Sequence, residues 1–124
     1  MVWKFNNDRP VYQQIIEQLQ AAVLAGDLEP GQRILSVRDL AMQAGVNPNT
    51  MQHALREMES TGLLITEGTS GRFVTQDLQV LESLKAEQLR RLLQDCAKRF
   101  AAFGLTPAQA GQLLGQMEPE RTDA

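Results

Sequence analysis

Asn49, Thr50, Gln52, His53 and Arg56 are hydrogen-bonding side chains crowded onto one side of a short helical repeat. The other side is apolar: Met51, Ala54, Leu55 and Met58 follow the i, i+3, i+4, i+7 spacing of a buried stripe. Side chains of this length can reach base edges in the major groove of DNA, where Asn and Gln pair well with adenine. Catalysis has no comparable basis. There is no paired acid, no nucleophile beside a base and no Gly-rich strand-to-helix turn to cradle a phosphate. His53 is the single histidine, and no cysteine lies near it to complete a metal site. The expectation is a binding protein, not an enzyme, with no catalytic residue, no metal and no cofactor.

The helix that carries these residues has a clear start. Asn47 can accept from the first free backbone N–H groups as an N-cap, and Pro48 suits the first helical position, where its missing N–H is not needed. Proline also pushes Asn47 towards the extended geometry of a cap. Gly62 ends the segment. Upstream, Ala44-Gly45-Val46 is a tight turn, preceded by a helix that opens at Ser36 and turns Val37, Leu40 and Ala41 inward. Asp39, three residues after Ser36, makes a weak form of the capping box. A helix–turn–helix results, with Val46 to Gly62 as its second, reading helix.

The remaining elements frame that pair. Pro10 to Ala25 reads as a first helix with Tyr12, Ile15, Ile16, Leu19, Ala22 and Val23 inward and Gln13, Gln14, Glu17 and Gln18 outward. Gly26 is its natural C-cap. Pro30-Gly31 is a turn, and Gln32 to Leu35 a short extended piece. Leu63 to Thr66 and Arg72 to Thr75 are β-rich and joined by E-G-T-S-G, which makes a hairpin with Leu64 and Phe73 able to pack inward. Met1 to Arg9 holds Trp3 and Phe5 in a polar stretch, either an arm packed on the body or a frayed end.

From Asp77 to about Phe103 the pattern becomes a long helix. Leu78, Leu81, Leu89, Leu92, Leu93, Cys96, Phe100 and Phe103 lie along one side at near-heptad spacing. Thr106-Pro107 restarts a helix with Ala110, Leu113, Leu114 and Met117 as its stripe. Two copies of the long stripe facing each other would bury enough large side chains, at ~1.5–3 kcal/mol each, to hold a homodimer. Leu81, Leu89, Leu92, Leu93, Cys96, Phe100, Phe103, Leu113 and Leu114 are the residues expected at that seam. Cys96 within it reads as a buried structural cysteine rather than a redox sensor.

The fold class is mainly α with one small β-hairpin. Residues 1–75 form a winged helix-turn-helix domain, 76–118 a helical dimerisation region, and 119–124 a polar tail. The net charge is −3, unusual for a nucleic-acid binder. Between Pro30 and Thr75, Arg33, Arg38, Arg56 and Arg72 are balanced by Asp39, Glu57, Glu59 and Glu67. DNA contact then depends on placement, and phosphate contacts are few. Arg38 and Arg56 could instead be surface partners of Asp39 and of Glu57 or Glu59. No apolar run approaches the roughly 20 residues that span a bilayer, and the first residues lack a signal peptide's pattern. With one cysteine and no membrane partner, the cytoplasm is the expected compartment.

The order P-V-Y-Q-Q-I-I-E-Q-L, G-D-L-E-P-G-Q-R-I-L-S-V-R-D-L-A and G-V-N-P-N-T-M-Q-H-A-L-R-E-M-E-S-T-G-L-L resembles the DNA-binding half of GntR-family bacterial transcription regulators. The likeness covers roughly Pro10 to Val74, and the N-P-N-T turn with a short helical tail is similar to the YtrA subfamily. It implies a homodimeric regulator, usually a repressor, bound to double-stranded DNA at a palindromic operator; a small-molecule effector is left open. It also implies that Ser36 and Arg38 touch backbone or nearby bases. Asn47, Asn49 and Thr50, with Gln52 and His53 one turn on, would face the bases, and Gly68, Thr69, Gly71 and Arg72 form the wing. Glu67 stands where the family's wing often carries a basic residue, and Pro48 and Gln52 stand where many relatives have arginine. The acidic balance and Glu67 leave a second reading, a protein-interaction module on a winged-helix scaffold.

Overall fold

The computed structural model describes residues 1–119, so the expected polar tail from residue 120 onward lies outside the described residues. In chain order the elements are α1 (Val11–Ala25), α2 (Val37–Ala44), α3 (Pro48–Ser60), β1 (Leu64–Glu67), β2 (Gly71–Val74), α4 (Leu78–Ala101) and α5 (Pro107–Gly115). This is the expected class, mainly helical with one antiparallel hairpin paired Leu64 to Val74 through Glu67 to Gly71.

The chain divides into two compact units, Met1–Lys85 and a second that begins at Ala86. The first holds the hydrophobic core. Ile15 and Leu19 of α1, Leu40 and Ala41 of α2, and Met51, Ala54, Leu55 and Met58 of α3 meet Leu63, Leu64 and Val74 from the hairpin. The α3 stripe is therefore the one its spacing predicts, and all four of its apolar side chains are buried. Leu81 and Leu84, in the first turns of α4, pack against the same core.

Two details of facing differ from the sequence expectation. Phe73 pairs across the hairpin with Ile65, while the inward pair is Leu64 with Val74. Because side chains alternate along a strand, one inward position puts its neighbour on the other face. Val74 takes the inward place and Phe73 sits half-exposed beside a bridge to Arg33. The stretch around Gln32 to Ile34 acts as a third rung on β2: the Ile34 N–H donates to the Arg72 carbonyl (3.0 Å) and the Val74 N–H to the Gln32 carbonyl (2.9 Å).

Gln14, expected to face solvent, is 3 % exposed. The N-terminal arm covers it. Of the two readings of Met1 to Arg9, the structure takes the packed arm: Trp3 and Phe5 stack with ring centroids 5.9 Å apart and lie against the core. The Gln14 carboxamide accepts from the Asn6 N–H (3.0 Å) and donates to the Asn6 (3.0 Å) and Arg9 (2.8 Å) carbonyls. One turn on, Gln18 accepts from the Lys4 N–H (3.0 Å) and donates to its carbonyl (2.7 Å). An Arg9–Glu17 ion pair closes the arm at its far end.

In the second unit, α5 starts with a complete capping box: Thr106 Oγ1 accepts from the Gln109 N–H (3.2 Å), and Gln109 accepts from the Thr106 N–H (2.9 Å). Ala110 is buried.

Candidate nucleic-acid interface

Two helix starts form the frame of the site. Ser36 sits in extended geometry, and its Oγ accepts from the Asp39 N–H at 3.1 Å. The helix it opens stops at Gly45, whose φ of 70° lets its N–H turn back to the end of α2. The Val46 N–H then reaches the Ala41 carbonyl at 3.0 Å, which fixes the turn into α3. Asn47 caps α3 through its Oδ1, which accepts from the Asn49 N–H at 2.8 Å, with Pro48 at the first helical position. Both caps named from sequence are thus made, and both use side-chain oxygens of residues expected to touch DNA.

Along α3, Asn49, His53 and Arg56 are exposed, while Thr50 and Gln52 are half-buried. His53 stacks on Tyr12 of α1, ring centroids 4.0 Å apart, and its Nε2 lies 3.3 Å from Glu57 Oε1. Arg38 is exposed on α2 and, among the described residues, makes no ion pair with Asp39 or any other acid. The hairpin tip, Gly68 to Ser70, is exposed; the Ser70 N–H donates to the Glu67 carbonyl at 2.8 Å. Gly71 has φ of 120°, and a Cβ there would lie 2.9 Å from Arg33 Nε. The guanidinium of Arg33 therefore rests over the wing backbone, an exposed cation that the sequence reading did not assign to the site.

Arg72 is placed differently from the wing tip. It forms a partly buried ion pair with Glu59 of α3, and its Nη2 donates to the Gln52 oxygen. In the amide orientation that satisfies its neighbours, this oxygen accepts from Arg72 Nη2 at 3.2 Å and from Arg56 Nε at 3.1 Å. Thr66 Oγ1 completes the cluster by donating to Glu59 Oε1 at 2.9 Å. The hydrogen bond from Arg72 holds the Glu59 carboxyl below its ordinary range, with Thr66 and the nearby charges of Arg72 and Arg56 acting in the same direction against partial burial. The structure thus gathers Gln52, Arg56 and Arg72, while Ser36, Arg38 and the Gly68–Thr69 tip lie outside this cluster. Tyr12, Glu59 and Thr66 are supporting residues that sequence spacing did not reveal: their partners come from other elements.

The apolar positions expected at a dimer seam fall into two groups. Leu81 packs on the core of its own unit. In the second unit, Leu89, Leu92, Leu93, Phe103, Leu113 and Leu114 are exposed, and Cys96 and Phe100 are half-buried. Among the described residues no group of three or more His, Cys, Asp or Glu side chains could hold a metal ion, and no helix is long and apolar enough to cross a membrane.

Comparison with known proteins covers both the site and the tail. Residues 11–74 match the model of the bacterial regulatory proteins of the gntR family. The chain is 34% identical over 103 residues to the HTH-type transcriptional regulator YhcF of Bacillus subtilis (strain 168), spanning 83% of this chain and 85% of that one. It is 33% identical over 91 residues to the HTH-type transcriptional repressor YtrA of the same organism, spanning 69% and 70%. A GntR family transcriptional regulator from Listeria monocytogenes superposes with a TM-score of 0.82 at 28% identity, covering 92% of this chain and all, 100%, of that one. The AraR DNA-binding domain, solved in complex with operator ORX1, superposes with a TM-score of 0.55 at 28% identity, covering 60% and 96%.

Proposed function

The chain belongs to the gntR family of bacterial regulatory proteins, and from that premise we propose that it acts in the cytoplasm as a homodimeric repressor that binds a palindromic operator in double-stranded DNA. The observation that carries this reading is the α2–turn–α3 unit with its hairpin locked alongside. The capped start of α3 presents Asn47, Asn49, Thr50, Gln52 and His53 for bases, while Ser36, Arg38 and the Gly68–Arg72 wing position the duplex. AraR, whose DNA-binding domain shares this fold, is solved on its operator, and YtrA is named a repressor. Dimerisation is supported by the large apolar side chains left bare on the second unit, Leu93 and Phe103 being 68% and 83% exposed. Large apolar side chains exposed in number on one small unit point to an interaction face.

The test is selection from random DNA, with the mass of the complex measured in solution. A two-fold repeat is expected, with half-sites about one helical turn, or ~34–36 Å, apart and two chains per site. Leu93→Asp should give monomers that lose the repeat and keep only weak half-site binding. Recovery of a site without symmetry, bound by one chain, would remove the dimer from this reading. If the protein enriches nothing, DNA binding itself fails and the protein-interaction module becomes the better reading.

A further inference from the structure

We propose that Gln52, on the reading of α3 as the recognition helix, reads guanine as a donor-only group because two arginines withhold its oxygen from DNA. A glutamine side chain offers one carbonyl oxygen with two lone pairs and an NH2 with two donors. Pairing with adenine uses both ends: the oxygen accepts from N6–H and the nitrogen donates to N7. In the amide orientation that satisfies both neighbours, the oxygen is occupied twice, by Arg56 Nε at 3.1 Å and Arg72 Nη2 at 3.2 Å. Turning the amide over sets its NH2 against two guanidinium donors and leaves the oxygen only one longer bond, 3.4 Å, from Arg72 Nη2.

The clamp is anchored from behind. Arg72 is tied through Nε to Glu59, and Glu59 Oε1 also accepts from Thr66 Oγ1 at 2.9 Å. The Arg72 and Glu59 side chains are only 19% and 29% exposed, so solvent does little to loosen them. What remains for DNA at this point of α3 is the Gln52 NH2 and the terminal nitrogens of exposed Arg56. All of these are donors. Guanine presents two acceptors, O6 and N7, on its major-groove edge. Adenine and cytosine would bring an amino donor up against donors, and thymine supplies a single acceptor.

The experiment compares wild type and Gln52→Ala by selection from random DNA, followed by titration of operators carrying 7-deazaguanine at the affected position. The wild type should require guanine at one position per half-site, and Gln52→Ala should relax that position. Loss of N7 should weaken wild-type binding about tenfold, the scale of a good base contact, and leave Gln52→Ala unmoved. Adenine at the relaxed position overturns the inference, as does a Gln52→Ala profile identical to wild type or an equal response of both proteins to 7-deazaguanine. A wild type that enriches no sequence overturns the DNA-binding reading beneath it, which a specific site with the wrong base does not.

Discussion

His53 lies flat on Tyr12, with ring centroids 4.0 Å apart and 21° between the planes. The stack joins the third helix to the first at the edge of the candidate DNA face. An aromatic pair of this kind contributes ~0.5–1.5 kcal/mol beyond the area it buries. His53→Ala should therefore lower the unfolding free energy by at least that amount, read as a lower urea midpoint at an unchanged m-value. An unmoved midpoint would show that the stack carries no stability.

Acid should loosen the hairpin from α3. Glu59 has its carboxyl pKa depressed in the folded state, first by the hydrogen bond from Arg72. A depressed carboxylate contributes stability that is fully present above the ordinary carboxylate range, about pH 4.3 for glutamate. That contribution is lost as pH falls through the lower, folded value. Glu59→Gln should be less stable than wild type at neutral pH, and the gap should close as pH drops below 4. Denaturant midpoints measured from pH 7 to pH 3 check this; a gap of constant size would contradict it.

Gln14 is the buried post of the N-terminal arm. Gln14→Ala leaves the Asn6 and Arg9 carbonyls and the Asn6 N–H without their partner. Asn6 and Arg9 are exposed, so water takes over their freed groups, and each lost bond costs about 0.5–1.5 kcal/mol. Amide exchange gives the specific readout: the Asn6 N–H should exchange much faster, while protection in α3 falls only with global stability. Equal loss at both places would mean that the arm does not open separately.

Arg38 is exposed and has no acidic partner among the described residues. If it meets a phosphate, Arg38→Ala should weaken binding to all sequences alike and reduce the salt slope by about 1. Asn49→Ala should instead alter which sequences are preferred at unchanged slope. Anisotropy titrations between 50 and 200 mM salt, roughly the range over which phosphate contacts dominate, separate the two. An Arg38→Ala protein with the wild-type slope would remove Arg38 from the phosphate contacts.

Local chemistry was legible, and pairing between distant segments was not. Ser36, Asn47-Pro48 and Thr106-Pro107 announce helix starts because their side chains bond backbone two or three residues away. The Met51–Met58 stripe is legible for the same reason: its period lies within one helix. Gln14 looks solvent-facing because nothing near it in the chain says that an arm eight residues back will cover it. Spacing alone allows Arg56 to pair with Glu57 or Glu59, but Arg72, thirteen residues beyond Glu59, is the residue paired with that carboxylate. Phe73 is as apolar as Val74, and only the register with Leu64 decides which of them turns inward.

The arm on α1 bridges a mismatch of repeats. Lys4 and Asn6 each offer a carbonyl and an N–H to one glutamine, as alternate residues of a strand do. Two residues of extended chain advance about 6.6–6.8 Å, whereas the four residues from Gln14 to Gln18 advance about 6.0 Å. The difference of roughly 0.7 Å per rung is absorbed by the glutamine side chains, whose four bonds are 2.7 to 3.0 Å long. The next position would pair Val2 with Ala22, which has no carboxamide to offer, and Val2 is 84% exposed. The ladder therefore stops where the glutamines along this face of α1 stop, and its length is written in the side chains of the helix, not in the arm.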